Sequence, residues 1–554
     1  MIVRMKHLDL VCMAADRKDT LERLRELGAV HLDLAGACGI KFTAEKEELA
    51  RAEKALRLIL KARTDSNDDS GLVRPREIDE ILTLADDRAR LEEALEALRR
   101  DIAKYEPYGD FDPALAQKLL DKGVDIADIL PSPLPEMRLS KMREKASRIA
   151  NRILIDNAKL SQSDEKIILA RYPALSDRIA FAAAEEAMQS HGAVAFVSGW
   201  VPESAVELLR TAAKDSAWGL LLRDALPEEI PPTLVKPPKF FAPVKSLFDG
   251  LGIAPAYTEA DVSVPFMCYF SLFFAMLVGD GAYGAIFLAA VMWGWKKYRA
   301  RPGNAILRSW LVMLTVFSAA TVLWGVLSNT WFGAAIPWLA DLPTVRWLAD
   351  PSYRNMMLLC FTIGVSHLML ARIWNGLCRL NDTSCLSEFG WAGILLFMYF
   401  VTNSIVGIFS SIPVAMYWVF GLSLVAVFGF TVKPSELKTR GAELGMLPLN
   451  IMSALGDIIS YVRLFAVGLA SVKVAENFNA MATGLVAGAE DWWVRALMSV
   501  AMVLILVVGH ALNLAMAALS VLVHAVRLNT LEFSNHKGVT WSGYAFKPFK
   551  KSKE

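Results

Sequence analysis

The last two long apolar segments of the chain carry polar and charged residues at helical spacing. In segment 450–478, Asp457, Ser460 and Arg463 are spaced by three residues, so they share one face of a helix. A charged side chain at the centre of a bilayer costs about 2.5–3.5 kcal/mol on insertion scales. Because Arg463 lies far from either end of its segment, it needs water or an anionic partner inside the membrane.

The final apolar segment, 493–528, carries four polar residues that can share one broad stripe: His510, Asn513, His524 and Arg527. Asn513, Ser520 and Arg527 repeat every seven residues, and each histidine precedes one member of that series by three. A polar stripe on a membrane helix indicates either an aqueous path or a contact with another helix.

Several of these residues also have an ordinary interpretation. Arg527 can extend its side chain to the cytosolic surface. His510 and Asn513 can hold neighbouring helices together by hydrogen bonds. Asp457 can pair with a basic group inside the bundle. The residues alone leave these alternatives open.

The 554-residue chain that presents these residues has two unlike halves. Up to about Asp261 it is rich in Glu, Lys, Arg and Leu, whereas long apolar runs follow, and the mean hydropathy is +0.35. The net charge of +1 gives no sign of nucleic-acid binding. Six cysteines form no C-x-x-C pair, so neither a disulfide framework nor a metal site is predicted.

The first half alternates strands and helices at its two ends. "HLDLVCM" and "AVHLDL" have the alternation of strands, and "DRKDTLERLRELG" between them predicts a helix with Asp16 as N-cap and Gly28 as C-cap. "AVAFVSGWVPES" and "AVELLRTAAK" predict a second small α+β unit. The N-terminus has no apolar stretch long enough for a signal peptide, so this half is expected in the cytosol.

Between these units, apolar residues step by three and four from Leu49 to Arg63 and from Ile81 to Ile102, with a loop "TDSNDDSG" between the two stretches. This spacing predicts two helices of an antiparallel coiled-coil arm, along which a third stretch, 139–170, can return. A helical domain that packs on itself is the alternative. We predict the elongated arm.

The second half contains seven apolar segments, each about long enough to cross 30 Å of hydrocarbon: 264–296, 307–333, 355–377, 389–411, 413–432, 450–478 and 493–528. Basic loops such as "KKYRARPGNAILR" and "KPSELKTR" alternate with loops poor in Lys and Arg, which orients the last six segments. The first segment fits only as two short crossings. We therefore predict eight segments with both termini cytosolic, and seven segments remain the alternative.

The break in the first segment is predicted near "VGDGAYG". This stretch fits G-x-G-x-x-G, but no strand precedes it, so a dinucleotide site is excluded. Asp280 in the break is interpreted as a solvated turn residue, with a water-filled vestibule as the alternative.

The fold class predicted is thus mostly α, with N-terminal cytosolic α+β lobes on a coiled-coil arm and a polytopic helical membrane domain that ends in two long tilted helices. The predicted domains are a cytosolic arm, a Pro-rich linker, a transmembrane domain and a cytosolic tail, at 1–230, 231–262, 263–532 and 533–554.

Two stretches closely resemble a known family. "SALGDIISYVRLFAVGLASVKVAENF" and "GHALNLAMAALSVLVHAVRLNTLEF" are similar to the final helices of the large membrane stator subunit of V/A-type rotary ATPases, called subunit I in bacteria and archaea and subunit a in eukaryotes. "GWVPES", "PPTLVKPP" and "FFAMLVGDGAYG" stand in family order, so the resemblance covers most of the chain. The Arg-Leu pairs that begin at Arg463 and Arg527 are its most specific part. Val262, Gly281 and Ala282 depart slightly from the family pattern.

The resemblance implies a mechanism. A rotor ring carries one carboxylate per ion site at mid-membrane, and the stator provides two aqueous half-channels that do not join. A fixed cation between them favours the ionised carboxylate, because an opposite charge lowers its pKa. Arg463 is the implied cation, since arginine stays charged when buried, and Arg527 supports it.

The remaining site residues follow from the same resemblance. The candidate half-channel lining groups are Asp457, Ser460, His510, Asn513, His524 and Glu532. The implied partners are rotor ring subunits of the c/K type, peripheral stalk subunits of the E/G type, a central-stalk adaptor of the d/C type and the lipid bilayer, with no nucleic acid. No cofactor, metal or catalytic residue is expected.

No G-x-x-x-x-G-K-[ST] motif occurs in the sequence, so nucleotide hydrolysis by this chain is not expected. The implied location is a bacterial plasma membrane, and the arm is expected to bind the stalks and resist torque.

Two rival functions remain at this point. A secondary ion-coupled transporter would usually show matched broken helices in two repeated halves, and the sequence predicts one broken segment. A membrane-anchored coiled-coil adaptor would account for the arm but not for two arginines inside membrane segments.

Overall fold

The computed structural model describes residues 2–34, 43–65, 77–122, 131, 133–161, 165–300, 305–337, 341, 343–348, 353–432, 437–487 and 491–551. The chain forms two compact units. The sheet unit comprises Met5–Ala225 and Lys547–Glu554, and the bundle unit comprises Met1–Arg4 and Leu226–Phe546.

The alternating sequence "HLDLVCM" forms the central strand of the sheet unit, β1 (Met5–Met13). Leu8, Leu10 and Cys12 are buried, because alternate side chains of a strand point to the same face. The other strands are β2 (His31–Leu32), β3 (Gln189–His191), β4 (Val194–Pro202) and β5 (Gly219–Asp224). Their order is β2-β4-β1-β5, β3 also pairs with β4, and all these pairs are antiparallel.

This order corrects the prediction of two separate α+β units. β4 lies between β1 and β2, so the two strand-containing segments form a single sheet. Leu10 of β1 pairs with Val197 of β4 and Leu220 of β5. The two segments were separated in the prediction because strand pairing over a long sequence distance leaves no local signal.

Among the described residues, seven α-helices complete the sheet unit. Gly28 ends the first in the left-handed conformation (φ 58°), and its N–H bonds to the Leu24 carbonyl oxygen at 3.1 Å, which confirms the predicted C-cap. Asp16 precedes this helix, but its side chain makes no capping hydrogen bond to the described residues. The helices are α1 (Arg17–Leu27), α2 (Thr43–Asp65), α3 (Ile78–Tyr105), α4 (Pro113–Asp121), α5 (Leu139–Ser161), α6 (Glu165–Ala187) and α7 (Val206–Asp215).

Helices α2, α3, α5 and α6 pack around one small apolar core, which includes Ile59, Ile81, Leu160 and Leu175. The predicted stretch 139–170 thus spans α5 and the start of α6. The coiled-coil arm stays a prediction, and most of the loop predicted between its first two helices, from 66 onward, lies outside the described residues.

The end of the chain returns to the sheet unit. The N–H of Lys547 donates to His31 Nδ1 at 3.0 Å, and the N–H of Phe549 donates to the Val30 carbonyl oxygen at 2.7 Å. The Phe549 ring stacks on Phe181, with centroids 6.4 Å apart, in the core of the sheet unit. The last described residues are therefore fixed beside β2.

Apolar helices make up most of the bundle unit. Its helices are α8 (Val244–Leu251), α9 (Ser263–Val278), α10 (Gly281–Ala300), α11 (Ala305–Ser328), α12 (Pro343–Leu348), α13 (Arg354–Cys378), α14 (Ser384–Ile405), α15 (Val414–Phe430), α16 (Leu437–Ile459), α17 (Val462–Ala487), α18 (Trp492–Ser520) and α19 (Ser534–Lys537). Within the described ranges, five helical spans are long and apolar enough to cross a membrane. The chain is thus a multi-pass membrane protein.

The first apolar segment is broken where the sequence predicts. α9 ends at Val278 and α10 begins at Gly281, with Gly279 in the left-handed conformation between them (φ 71°). The total of eight segments stays a prediction, and parts of the loops used to orient them, at 301–304 and 433–436, lie outside the described residues.

The last two membrane segments are less regular than the sequence predicts. Segment 450–478 is interrupted at Ser460 and Tyr461, between α16 and α17. After α18 the chain continues through two π-helical stretches, Val521–Ala525 and Leu528–Phe533, before α19. Both irregularities lie beside the arginines that the sequence singles out.

Candidate functional site

Arg463 lies at the start of α17, directly after the interruption, and two acceptors hold its guanidinium there. Arg463 Nε donates to the Ser460 carbonyl oxygen at 3.1 Å, and its Nη2 donates to Glu532 Oε1 at 3.2 Å. The Arg463 side chain is 24% exposed. The guanidinium is therefore fixed by the chain and still accessible from outside it.

Glu532 contacts two arginines with a single oxygen. Its Oε1 lies 3.2 Å from Arg463 Nη2 and 3.4 Å from Arg527 Nε, and Ser460 Oγ is 3.2 Å away. The Glu532 side chain is 5% exposed, whereas Arg527 is 53% exposed. We call Arg463, Arg527 and Glu532 the charged cluster. One carboxylate balances one of its two guanidinium charges, so one positive charge is left over.

Two polar atoms in and beside the charged cluster are buried without a hydrogen-bond partner among the described residues. They are Glu532 Oε2 and His524 Nδ1. Leaving a buried polar group unpaired costs roughly 1–3 kcal/mol, so unpaired atoms concentrate where a protein serves something other than its own stability. Their position next to a surplus cation makes this the strongest candidate site in the bundle.

A second group of ionisable side chains joins α13, α14, α16 and α19. Arg372 Nε donates to His536 Nδ1 at 3.1 Å, which leaves His536 Nε2 as the donor to Asp457 Oδ2, 3.0 Å away. Arg372 also donates to Glu388 Oε2 at 3.2 Å. Asp457, Arg372 and His536 line an open cleft of about 480 Å³, the Asp457 cleft. Asp457 thus both pairs with a basic group and lines a cleft.

Another cleft, of about 150 Å³, runs along α17. Leu464, Lys473 and Glu476 contribute to its lining, and Lys473 Nζ pairs with Glu476 Oε2 at 2.7 Å. We call it the Lys473 cleft. From the consecutive helices α16 and α17, the Asp457 cleft is lined by α16 residues, which precede Arg463. The Lys473 cleft is lined by α17 residues that follow Arg463.

His510 and Asn513 belong to a different arrangement. Tyr283 Oη lies 2.7 Å from His510 Nδ1 and accepts from Asn513 Nδ2 at 3.1 Å. Asn513 also accepts from Ser471 Oγ at 3.0 Å and donates to the Ser471 carbonyl oxygen at 2.9 Å, while His510 Nε2 lies 3.2 Å from Asn479 Oδ1. We call Tyr283, Ser471, His510 and Asn513 the closed network. It joins α10, α17 and α18, which supports the interpretation of His510 and Asn513 as contacts between helices.

The four residues of the predicted stripe therefore do not form one site. Asn513 is fully buried among partners in the closed network, whereas Arg527 is half exposed and pairs with Glu532. The π-helical stretch Val521–Ala525 lies between them. Because a π-helical turn holds more residues than an α-helical turn, a seven-residue repeat that crosses it does not keep one face.

Asp280 is buried, with 1% of its surface exposed, and its two oxygens accept the N–H groups of Ala282 at 2.8 Å and Gly333 at 2.9 Å. It caps α10 and holds the loop that follows α11. The interpretation of Asp280 as a solvated turn residue is therefore wrong, and the vestibule stays a prediction.

The sequence reasoning missed Arg372, Glu388, His536 and Tyr283. Arg372 had a signal, because it lies inside the apolar segment 355–377, and a charge there indicates function or a paired partner. His536 had none, since it follows the last apolar segment and is brought to Asp457 by the helical turn of α19.

Comparison with known proteins identifies relatives that match between 65% and 99% of the chain. The chain is 28% identical, over 99% of its length, to V-type ATP synthase subunit I 1 of Treponema pallidum and covers 100% of that protein. It is 32% identical, over 65% of its length, to V-type ATP synthase subunit I of Borreliella burgdorferi, of which it covers 60%. It is 25% identical, over 78% of its length, to A-type ATP synthase subunit I of Methanocaldococcus jannaschii, of which it covers 66%. No family model matches the chain.

Proposed function

Because the chain is a homologue of the subunit I proteins of V-type and A-type ATP synthases, we propose that it is the membrane stator subunit of a rotary ATPase or ATP synthase. In this role it provides two ion half-channels and the arginine that faces the rotor ring, and it links the membrane part to peripheral stalks. It is proposed as a non-catalytic subunit.

The observation that carries this proposal is the position of Arg463 along the chain, between residues that line one cleft and residues that line another. Residues of α16 before Arg463 line the Asp457 cleft, and residues of α17 after it line the Lys473 cleft. The proposed half-channels are these two clefts. Arg463 separates them, and its positive charge repels a cation that would otherwise pass directly from one to the other.

The surplus charge of the cluster gives the rotor carboxylate a reason to ionise there. Glu532 balances the charge of one guanidinium, so an arriving rotor carboxylate would balance the charge of the second. The two arginines would then face two carboxylates. An opposite charge nearby favours the ionised form of a carboxylate. The rotor site thus releases its ion into one cleft as it reaches Arg463 and takes up an ion from the other cleft after leaving it.

The proposed partners follow from this role. They are rotor ring subunits of the c/K type, peripheral stalk subunits of the E/G type, a central-stalk adaptor of the d/C type and the lipid bilayer. The proposed location is a bacterial plasma membrane with both termini in the cytosol. Co-purification with a small helical ring protein and ATPase head subunits would support these assignments, whereas purification as a lone substrate-binding protein would contradict them.

The structure removes one argument against a secondary transporter. The interruption at Ser460 and Tyr461 adds a second broken segment to the one at Gly279, so broken helices no longer distinguish the two functions. The named relatives and the two clefts beside Arg463 still favour the stator.

The direct test replaces Arg463 with alanine in the assembled complex. ATP-driven ion uptake into vesicles should be abolished while the complex still assembles, because the rotor carboxylate loses the cation that favours its charged form. Arg346→Ala is the matched control, since Arg346 is 69% exposed and pairs only with the exposed Asp341 among the described residues. Normal ion uptake by Arg463→Ala would refute the proposed function.

A further inference from the structure

The interruption before Arg463 has a specific hydrogen-bond pattern. The N–H groups of Tyr461, Arg463 and Leu464 each bond to the carbonyl oxygen three residues earlier, at 3.1, 3.3 and 3.0 Å. The backbone is therefore tighter here than in an α-helix, whose bonds reach four residues back. The Ser460 carbonyl oxygen accepts both the N–H of Arg463 and its guanidinium Nε. The conformation of this turn thus determines the position and direction of the Arg463 side chain.

Tyr461, in the middle of the turn, is anchored in the bundle core. Its side chain is fully buried, and its hydroxyl lies 2.9 Å from His367 Nδ1 on α13. A Cβ atom on Gly364 would lie 2.6 Å from Tyr461 Cγ, closer than real Cβ contacts. Only glycine at position 364 allows the tyrosine to lie against α13 in this way.

His367 in turn contacts one residue close to Arg463 in the sequence and one residue next to Glu532. Its ring stacks on Phe533, the neighbour of Glu532, with centroids 4.4 Å apart and planes at 11°, and on Tyr269 at 3.9 Å and 24°. One imidazole therefore packs against the residue next to Glu532 and bonds to the residue two before Arg463.

His367 is costly to keep in this place. It is fully buried, and its Nε2 atom has no hydrogen-bond partner within the described parts of the chain. An apolar side chain of similar size would avoid burying that atom. A polar group retained under such conditions is expected where its one hydrogen bond serves a function that an apolar side chain would not provide.

We propose that His367 and Tyr461 are positioning residues for the charged cluster: through their hydrogen bond and the stack on Phe533 they fix the turn that presents Arg463 and the helix that presents Glu532. This inference rests on the proposed function of Arg463. The pair acts through geometry and does not touch the transported ion.

The test uses two nearly isosteric changes in the assembled complex. Tyr461→Phe removes only the hydroxyl, and His367→Leu removes the imidazole that bonds to it. Each change should lower ion transport per assembled complex by about tenfold or more, because small displacements of a charged group weaken its action strongly. The double variant should lose no more than either single variant. His367→Asn, whose amide can replace Nδ1, should recover part of the transport.

A purely structural role predicts a different result. Thermal melting of the variants would then fall, but transport per assembled complex would equal that of the unchanged protein, which would overturn the inference. Losses in the double variant that simply multiply would also overturn it, since the two residues would then act separately.

Arg463→Ala in the same assay separates the two proposals. If Arg463→Ala abolishes transport while Tyr461→Phe and His367→Leu transport normally, only the positioning role fails. If Arg463→Ala transports normally, the proposed function fails as a whole. Should His367→Leu not assemble, Tyr461→Phe, which keeps the ring and its packing, decides the question.

Discussion

The charged cluster and the closed network are both polar regions among apolar helices, but they differ in how completely they are bonded. In the closed network, Asn513 uses both ends of its amide and the His510 ring contacts a partner at each nitrogen. In the charged cluster, Glu532 Oε2 has no partner among the described residues and one guanidinium charge is not balanced. Complete bonding indicates a contact that holds helices together, whereas incomplete bonding indicates a site that acts on something else.

After the loss expected for Arg463→Ala, the largest effect is expected from the more exposed arginine of the charged cluster, Arg527. Arg527→Ala should lower ATP-driven ion transport by about a hundredfold, the usual scale for removing one group that stabilises a developing charge. Arg527→Lys keeps the charge and serves as the matched control, and vesicle ion uptake is the measurement. If Arg527→Ala transported as well as the unchanged protein, Arg527 would be an arginine at the membrane surface and no part of the cluster.

A smaller loss is expected when the balancing carboxylate is removed. Glu532→Gln keeps the shape of the side chain but removes the charge that holds both guanidinium groups. Transport should therefore fall about tenfold, or roughly 1.4 kcal/mol, close to the lower end of the range for a hydrogen bond to a charged group. Glu207→Gln, at an 83% exposed position of the sheet unit, is the control. Unchanged transport would show that Glu532 is not needed to hold the arginines.

In the closed network, a substitution should lower the stability of the complex and leave transport nearly unchanged, the opposite of what is expected for the charged cluster. Asn513→Leu breaks its bonds to Ser471 and Tyr283, so the melting temperature of the complex should fall, with a loss of about 1 kcal/mol expected for hydrogen bonds between membrane helices. Transport per assembled complex should stay within about twofold of the unchanged protein. A loss of transport without a loss of stability would place Asn513 with the charged cluster and would break the comparison.

The smallest effect is expected from a titratable contact in the sheet unit. This contact lies outside both the charged cluster and the closed network and serves as a reference for them. Burial lowers the pKa of His31 below its usual 6.5, and its Nδ1 accepts the N–H of Lys547. A lowered pKa means that the contact is fully stabilising above about pH 6.5 and weakens as the pH falls through the lowered pKa.

Amide hydrogen exchange at Lys547 and Phe549 measures this effect. Once exchange is corrected for its intrinsic rate, which itself falls in acid, both positions should be less protected in mildly acid than in neutral solution, and His31→Asn should remove this change in protection. If exchange slowed in acid after correction for its intrinsic rate, the sign of the His31 contribution would be wrong.

Local signals in the sequence predicted much of the fold. Alternation in "HLDLVCM", the left-handed cap at Gly28 and the glycine break at Gly279 depend on neighbouring residues, and the structure has all three. The single sheet, by contrast, depends on pairing between β1 and β4, which lie far apart in the sequence. No local pattern encodes that pairing.

The same distinction applies to the candidate site. Arg463 and Arg527 stand out because a charge in an apolar run is unusual in any context, whereas their shared contact with Glu532 depends on how the helices pack. The interruption at Ser460 and Tyr461 contains neither glycine nor proline. Tyr461 in this interruption contacts Gly364 and His367 on another helix, and the residues of the interruption themselves carry no signal of that contact.

The close approach of Tyr461 to Gly364 means that these two positions constrain each other during evolution. A methyl group at 364 has no room while tyrosine occupies 461, so a lineage that enlarges the first position has to shrink the second in the same step or pass through an impaired intermediate. Such a constraint slows substitution at both sites together, and across diverging descendants it would appear as correlated replacement of a residue pair nearly a hundred positions apart.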